Sequence, residues 1–468
     1  MIKLYDTLTK NKQSLKPIQP GEVRLYSCGP TVYDYLQIGN WLAFIRWDIL
    51  YRTLRSSGLK TKWVMNITDV GHLTSDADDG EDKLEKGAKR EGKSAWDIAA
   101  YYTEDFIRGL DALDIQIKRK NIPKATDAIN EQIELVKTLE KKGHTYIIDD
   151  GVYFDTTTCQ DYGKLGNIDL DNLQAGARVA YNDQKRNITD FALWKFSPKN
   201  VKRDMEWDSP WGVGFPGWHL ECSALAMKHL GETIDIHAGG IDHIPIHHTN
   251  EIAQSECATG KQFSQIWLHS NFLTVDGTKL SKSLGNSYSL QEIEERGFSP
   301  FDFRLFALQS HYRTQANFTW ESLEAARSRR KTIQAVADLR FQSIARYIDS
   351  AVLEGISHNV SRRLEDDLNT PKALAELSKL DAVVDNVAET HSSDQNALNV
   401  FIEAIDGMLG LGLLKSNDIT TAQKENIEKR KLARADKDWR KSDTIRDKLL
   451  QQGVGIKDTA AGQVWYRI

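Results

Sequence analysis

The residues best equipped for chemistry in this 468-residue chain are two thiols, an imidazole and a carboxylate. His247 and Glu251 stand four apart in HHTNEIAQSE, so on a helix both project from one face, one turn apart. Cys222, in PGWHLECS, and Cys28, in LYSCGP, complete a mixed sulfur, nitrogen and oxygen set of the kind zinc takes. On spacing alone, buried unpaired thiols remain the plainer alternative, because the four lie far apart and neither CxxC nor HExxH occurs. His247 and His248 are adjacent rather than flanking a general-base Glu, which argues against a metalloprotease.

Two further features point to phosphate. QIGN at 37–40 opens a helix directly after a strand, so its free N–H groups and positive dipole end face an anion. Gly39 could equally be a packing glycine that lets the helix approach a sheet. KLSKSLGN at 279–286 places Lys279 and Lys282 three apart in a flexible loop. Such a pair can clamp a triphosphate and offset charge on a leaving pyrophosphate. The alternative is a solvated surface turn.

The elements that must position these residues are legible as a pattern. EVRLYSC at 22–28 reads as a strand, WLAFIRWDILYRTLRSSG as an amphipathic helix ending at Gly58, and TKWVMNIT as a second strand. That succession is a βαβ unit, the building block of a parallel sheet with ligands at its carboxyl edge. Sheet-like segments return at TIDIHAGG (233–240) and QIWLHSNFLTVDG (265–277), so residues 71–210 read as an insertion. After Trp320 the pattern is helical. Ile333, Ala337, Phe341 and Ile344 form one stripe, and Leu398, Phe401, Ile402, Ile405 and Leu409 another. Asn369-Thr370-Pro371 is a cap and helix start. The last segment reads as one helix running to Gly453, then a small hairpin.

Composition bounds the class. With 40% hydrophobic and 27% charged residues the chain is neither disordered nor collagen-like. No run approaches the ~18 apolar residues of a membrane span, and MIKLYDTLTKNKQ lacks a signal h-region, so a cytoplasmic protein without membrane contact is expected. Four cysteines are too few and too scattered for a disulfide framework. Net charge is −5, yet residues 420–468 carry 12 Lys and Arg against 7 Asp and Glu. A basic tail on an acidic body fits contact with a phosphate backbone, or a solvated helical face.

The ordered blocks SCGPTVYDYLQIGN, MNITDV, GFPGWHLECSA, DIHAGGIDHIPIHHTNEIAQSE, WLHSNFLTVDGTKLSKSLGN, FRLFALQSHYR, LEDDLNTPKAL and ARADKDWRKSDTIRDKLLQQG cover nearly the whole chain. Together they resemble the cysteinyl-tRNA synthetases, a family of class I aminoacyl-tRNA synthetases. The resemblance implies a zinc ion held by Cys28, Cys222, His247 and Glu251, which takes the substrate cysteine's thiolate as an added ligand. It also implies an amino-acid pocket lined by Gly29, Thr68, Asp69 and Trp218. ATP, with Mg²⁺, would lie against Gln37, Gly39, Asn40, Lys279 and Lys282, with Gly239, Gly240 and Asp242 at the adenosine. The implied reaction is two-step, cysteinyl-adenylate formation followed by transfer to the 3′ end of tRNA(Cys).

The implied architecture is an α/β doubly wound, Rossmann-like catalytic domain (1–70 and 211–290) interrupted by a connective insertion (71–210). A stem-contact segment (291–320), a helical bundle (321–419) and a C-terminal anticodon-binding module (420–468) follow. Arg434, Trp439, Arg440 and Trp465 are the candidate RNA contacts, the tryptophans serving either to stack on unpaired bases or to fill a mini-core. A monomer is expected. The chain departs from the family at Gln37, where His is usual; Gln still offers N–H donors but cannot carry charge. Asn40, Ala238, Thr249 and Leu280 are lesser variants. Two rivals stay open: an ATP-dependent ligase joining cysteine to a sugar amine, and a non-catalytic RNA-binding paralogue.

Overall fold

Four short segments rich in β-branched and aromatic residues build the scaffold: β1 (Glu22–Ser27), β2 (Lys60–Met65), β3 (Ile234–Gly240) and β4 (Ser264–Ser270). In the computed structural model, which describes residues 1–70, 82–166, 183–198, 203–281, 285–342, 349–380, 395–459 and 462–468, they pair in the order β4-β3-β1-β2. Every pairing is parallel. Six of the seven β3 residues are buried, as expected of a parallel strand covered on both faces. The helix between β1 and β2, α1 (Ile38–Ser56), is apolar almost all round and correspondingly buried. Its buried Arg52 pairs with Asp48 at 2.6 Å and with Asp114 at 2.8 Å, and the Gln116 N–H donates to Asp48.

The chain runs from β1 outward to β2, then returns to the other side of β1 for β3 and β4. The order therefore reverses between β1 and β3, which is where a doubly wound sheet opens a crevice for ligands. Register places the ends level: Ser27 pairs with Met65 on one side and with Ala238 on the other. Cys28, Asn66 and Gly239, the next residue of each strand, consequently emerge at one edge.

The chain divides into two units. The first holds Met1–Thr274, Lys279–Leu290 and Tyr312–Ala316. Besides the parallel sheet it contains an antiparallel sheet of Thr145–Ile148, Gly151–Phe154, Phe191–Phe196 and Gly214–Pro216. Phe154, Phe191 and Trp194 from that sheet share a core with Val136 and Leu139 of the helix Ile129–Lys141. The second unit, Val275–Thr278, Gln291–His311 and Asn317–Ile468, is helical apart from short strands. Leu398, Phe401, Ile402, Ile405 and Leu409 are all buried, and Asn369 caps the helix Thr370–Leu377 by accepting from the Lys372 N–H at 3.2 Å. No helix among the described residues is long and apolar enough to cross a membrane.

Three sequence expectations change. The tail is two helices, Thr421–Ala435 and Trp439–Gln451, broken where Lys437 adopts φ +59°. The stripe from Ile333 ends early: its helix stops at Asp338, Phe341 sits in a 3₁₀ turn, and Ile344 lies outside the described residues. Trp465 is 5% exposed, packed with Leu449 and Val454 and stacked on Phe341 at 6.4 Å. It fills a core and offers no face to a base.

Candidate active site

Two more helices point their first turns at the open edge of the sheet. The helix α2 (Trp218–Leu230) begins at Gly217 and brings Trp218 and Cys222; α3 (His247–Thr259) brings His247 at its first position and Glu251 one turn on. The thiols of Cys28 and Cys222, one ring nitrogen of His247 and a Glu251 oxygen all lie within 4.8 Å of one another. His247 Nε2 is 3.0 Å from Glu251 Oε1, and Cys28 Sγ is 3.8 Å from the same oxygen. The four residues singled out for a metal thus meet, although Cys28 and Glu251 are 223 positions apart.

Their surroundings explain why a cation belongs there. All four are buried, and the partners of the anionic groups are histidines rather than lysines or arginines. Burial pushes the Cys28 thiol up, while its hydrogen bond to Cys222 lowers Cys222, against burial, to about 6. Burial disfavours a charged His247, yet Glu251 and Cys222 beside it push it up to about 10. Burial likewise opposes ionisation of Glu251, but His237 and His247 hold its carboxyl well below the usual range. With no ion bound, a protonated His247 offsets the charge of Glu251 and Cys222, a role that a metal cation would take over. The cluster is suited to hold a metal ion.

Around it lies a shell of histidines that spacing did not reveal. His237 holds Glu251 Oε2 at 2.6 Å, leaving Oε1 toward the cluster. His219 and His247 meet through their Nδ1 atoms at 2.9 Å, so one must donate and the other accept. His248 bridges Cys28, at 3.2 Å, and His269, at 2.8 Å. Cys28, His237, His248 and Glu251 form a second geometric quartet, sharing two members with the first. The sequence did carry a signal: His237 and His269 stand among Ile236, Ile266, Trp267 and Leu268 in strands of a parallel sheet, and a buried polar residue there demands partners.

The amino-acid side of the edge is equally ordered. Gly29 lies so close to β2 that a Cβ would stand 1.7 Å from the Asn66 carbonyl oxygen, and its N–H donates to Asn66 Oδ1 at 2.9 Å. Asn66 also donates to Thr68, whose hydroxyl donates to Glu221 at 2.7 Å. Glu221, which the sequence reading passed over, is fully buried and its carboxyl is raised by burial. Asp69 turns away to accept two bonds from Thr126. Trp218 lays its ring 4.4 Å from that of His247.

The phosphate features also come together. Gln37 is the N-cap of α1; its backbone N–H donates to Asn40 Oδ1 at 3.1 Å and its side-chain N–H to the Tyr35 carbonyl at 3.0 Å. Asn40 therefore caps the helix. The nearest atom to a Cβ built on Gly39 is Leu280 Cδ1 at 3.7 Å, an ordinary contact, so internal packing does not require glycine there. The same distance places Leu280 against the start of α1. Asn286 donates to the Lys279 carbonyl and accepts from the Ser281 N–H. Lys279 is exposed, and Lys282 lies outside the described residues. At the end of β3, a Cβ on Gly239 would strike His248 and one on Gly240 would strike Asp242, whose carboxylate is exposed. In the second unit Trp439 is 56% exposed, with the Arg434 guanidinium 5.4 Å from its ring centre and Arg440 exposed beside it.

Comparison with known proteins identifies relatives along the chain. The profile of class I (C) tRNA synthetase catalytic domains matches residues 14–328. "Cysteine--tRNA ligase 1" of Burkholderia lata is 46% identical over 465 residues, covering 98% of this chain and 96% of its own. The "Cysteine--tRNA ligase" of Treponema denticola is 42% identical, with both chains wholly covered. Among solved structures, Mycobacterium tuberculosis methionyl-tRNA synthetase bound to methionyl-adenylate superposes with a TM-score of 0.60 at 14% identity, covering 84% of this chain and 92% of that one. Agrobacterium radiobacter LeuRS in a ternary complex gives 0.63 at 12% identity, covering 86% and 85%. At those identities the structures speak for the fold. A matched profile over two thirds of the length, and relatives aligned end to end, place this chain in the cysteine–tRNA ligase family of class I tRNA synthetases.

Proposed function

We propose that this chain joins cysteine to tRNA(Cys) at the expense of ATP, as a cytoplasmic monomer, with zinc in the cluster of Cys28, Cys222, His247 and Glu251. The observation that carries the reading is that cluster's place at the topological switch point. Bound there, zinc supplies a thiophilic centre open to the substrate's sulfur and closed to a neutral hydroxyl. The distinction matters because a shape-matched pocket rejects serine, which differs by one atom, by only ~1–3 kcal/mol. Of the two quartets, the one with two thiols is the more zinc-like; His237 and His248 then orient Glu251 and Cys28 from outside.

Thr68, Gly29 and Trp218 wall the cysteine pocket. Backbone N–H groups at the start of α1, with Lys279 and Lys282, hold the phosphates of ATP, whose oxygens carry Mg²⁺. The cysteine carboxylate then attacks the α-phosphorus, and pyrophosphate departs against the two lysines. Gly239, Gly240 and Asp242 meet the adenosine, the exposed carboxylate accepting from ribose hydroxyls. In the second step the terminal ribose hydroxyl of the tRNA takes the cysteinyl group and AMP leaves. Arg434, Trp439 and Arg440 form the RNA-contacting surface of the tail. A ligase acting on a sugar amine has no use for that tail, and the tRNA-ligase relatives align across it.

The test pairs metal analysis with charging. Purified protein should carry about one zinc per chain and charge tRNA(Cys) with cysteine at least ~10²-fold better than with serine, more than size selection provides. Zinc-free protein of full activity, or equal charging by the two amino acids, overturns the reading. Bound zinc and tRNA without cysteine-dependent pyrophosphate exchange would instead favour the non-catalytic paralogue.

Gly39→Ala probes the nucleotide side. Because the added methyl meets only ordinary contacts, folding stability should hold or rise by about 0.5–1 kcal/mol. KM for ATP should nonetheless rise about tenfold or more, since the methyl occupies the approach of the phosphates. An unchanged KM for ATP removes α1 from the nucleotide site.

A further inference from the structure

Two cysteines play no part in the cluster, and they are neighbours. Cys159 follows the 3₁₀ turn Thr156–Thr158, and Cys257 lies near the end of α3. Both line one cavity of roughly 160 Å³, together with Tyr162, Lys164, Thr249 and Glu256. Both pack against the same hydrophobic core, and each thiol is close enough to shift the other's proton affinity. Unlike Cys28 and Cys222, which are buried, each is partly open to solvent.

The pair is electrostatically asymmetric. The hydrogen bond from Cys257 lowers the Cys159 thiol; burial opposes that, and the Lys164 ammonium assists it. The same bond, with burial, raises Cys257. Lys164 is itself anchored by an ion pair to Glu256, the residue next to Cys257. One thiol is thus disposed to act as a nucleophile and the other to stay protonated beside it, the arrangement of an attacking and a resolving cysteine.

We propose that Cys159 and Cys257 form a reversible, peroxide-oxidised dithiol site on the wall of this cavity, separate from the metal cluster. The Cys159 thiolate attacks one oxygen of a hydroperoxide. The O–O bond breaks, hydroxide or alkoxide leaves and takes a proton, and Cys159 becomes a sulfenic acid. The Cys257 sulfur then attacks the Cys159 sulfur, its proton passing to the departing hydroxyl, and water leaves. Two thiols lose two electrons in total, and hydrogen peroxide is reduced to two waters. The resulting bond ties α3, which carries His247 and Glu251, to the segment just after Thr158.

The experiment uses full-length, zinc-loaded protein treated with hydrogen peroxide, alkylated, digested without reductant and analysed by mass spectrometry. The expected product is one cross-linked peptide pair joining Cys159 to Cys257, lost on adding a thiol reductant. In Cys257→Ser, Cys159 should stop at the sulfenic acid and be captured by dimedone. In Cys159→Ser, Cys257 should remain a thiol over the same time. At neutral pH Cys159 should react with iodoacetamide about tenfold faster than Cys257. Oxidation of Cys28 or Cys222 before this pair, or equal oxidation of Cys257 when Cys159 is absent, overturns the proposal.

Discussion

Cys28→Ser is expected to lose its metal and at least ~10³-fold in kcat/KM for cysteine-dependent pyrophosphate exchange, equivalent to about 4 kcal/mol of transition-state stabilisation. The substitution is nearly isosteric, and Cys28 is 8% exposed in a well-packed corner, so the fold should survive it. What changes is chemistry: a hydroxyl stays protonated where a thiol can become a thiolate, and serine is a poor ligand for zinc. Glu251, fully buried, then keeps its histidine partners but loses the cation its charge offsets. Elemental analysis and exchange kinetics read both effects. Added zinc should raise the melting temperature of the parent protein and not that of the variant, because only binding to the native state stabilises it. Metal content and exchange at parental levels in Cys28→Ser would remove this residue from the site.

The neighbouring position yields the second large effect, for a purely steric reason. A Cβ on residue 29 would sit 1.7 Å from the Asn66 oxygen and 2.9 Å from its carbonyl carbon, and both are backbone atoms that no rotamer change can clear. Gly29→Ala must therefore part the ends of β1 and β2. Overpacking of this kind costs about 1–3 kcal/mol or more. The displacement also carries Cys28 away from Cys222, His247 and Glu251, and a misplacement of ~1 Å can cost ~10²-fold in rate. Denaturant unfolding should show the lost stability and steady-state kinetics the lost activity. A variant matching the parent in both would mean that the two strand ends do not approach as described.

Much of this was legible in the residues, and the gaps have identifiable causes. The i, i+4 spacing of His247 and Glu251 anticipated a shared helix face, and the apolar stripe from Leu398 anticipated a buried one. Spacing could not bring Cys28 to them, because that meeting depends on which strands neighbour each other; the ordered family motifs supplied what geometry along the chain could not. The histidine shell was missed because His237 and His269 look like polar interruptions until the strands are laid side by side. The strand Phe191–Phe196 was missed because a short run, apolar but for Lys195, carries no periodicity to distinguish strand from helix. The break at Lys437 was invisible because neither glycine nor proline marks it; a lysine takes the left-handed conformation instead. Trp465 had two readings on composition, and only its burial against Leu449 and Val454 separates them.

The 223 positions that separate Cys28 from Glu251 also set an order of events at the ribosome. At ~5–20 residues per second, roughly 10–45 s pass between translation of the first thiol and translation of the last carboxylate. For most of that interval the nascent chain holds β1, α1 and β2, and β3 (Ile234–Gly240) is completed only shortly before Glu251. The four-residue cluster therefore cannot assemble before α3 has been made, so an ion bound there could stabilise the fold only late in synthesis.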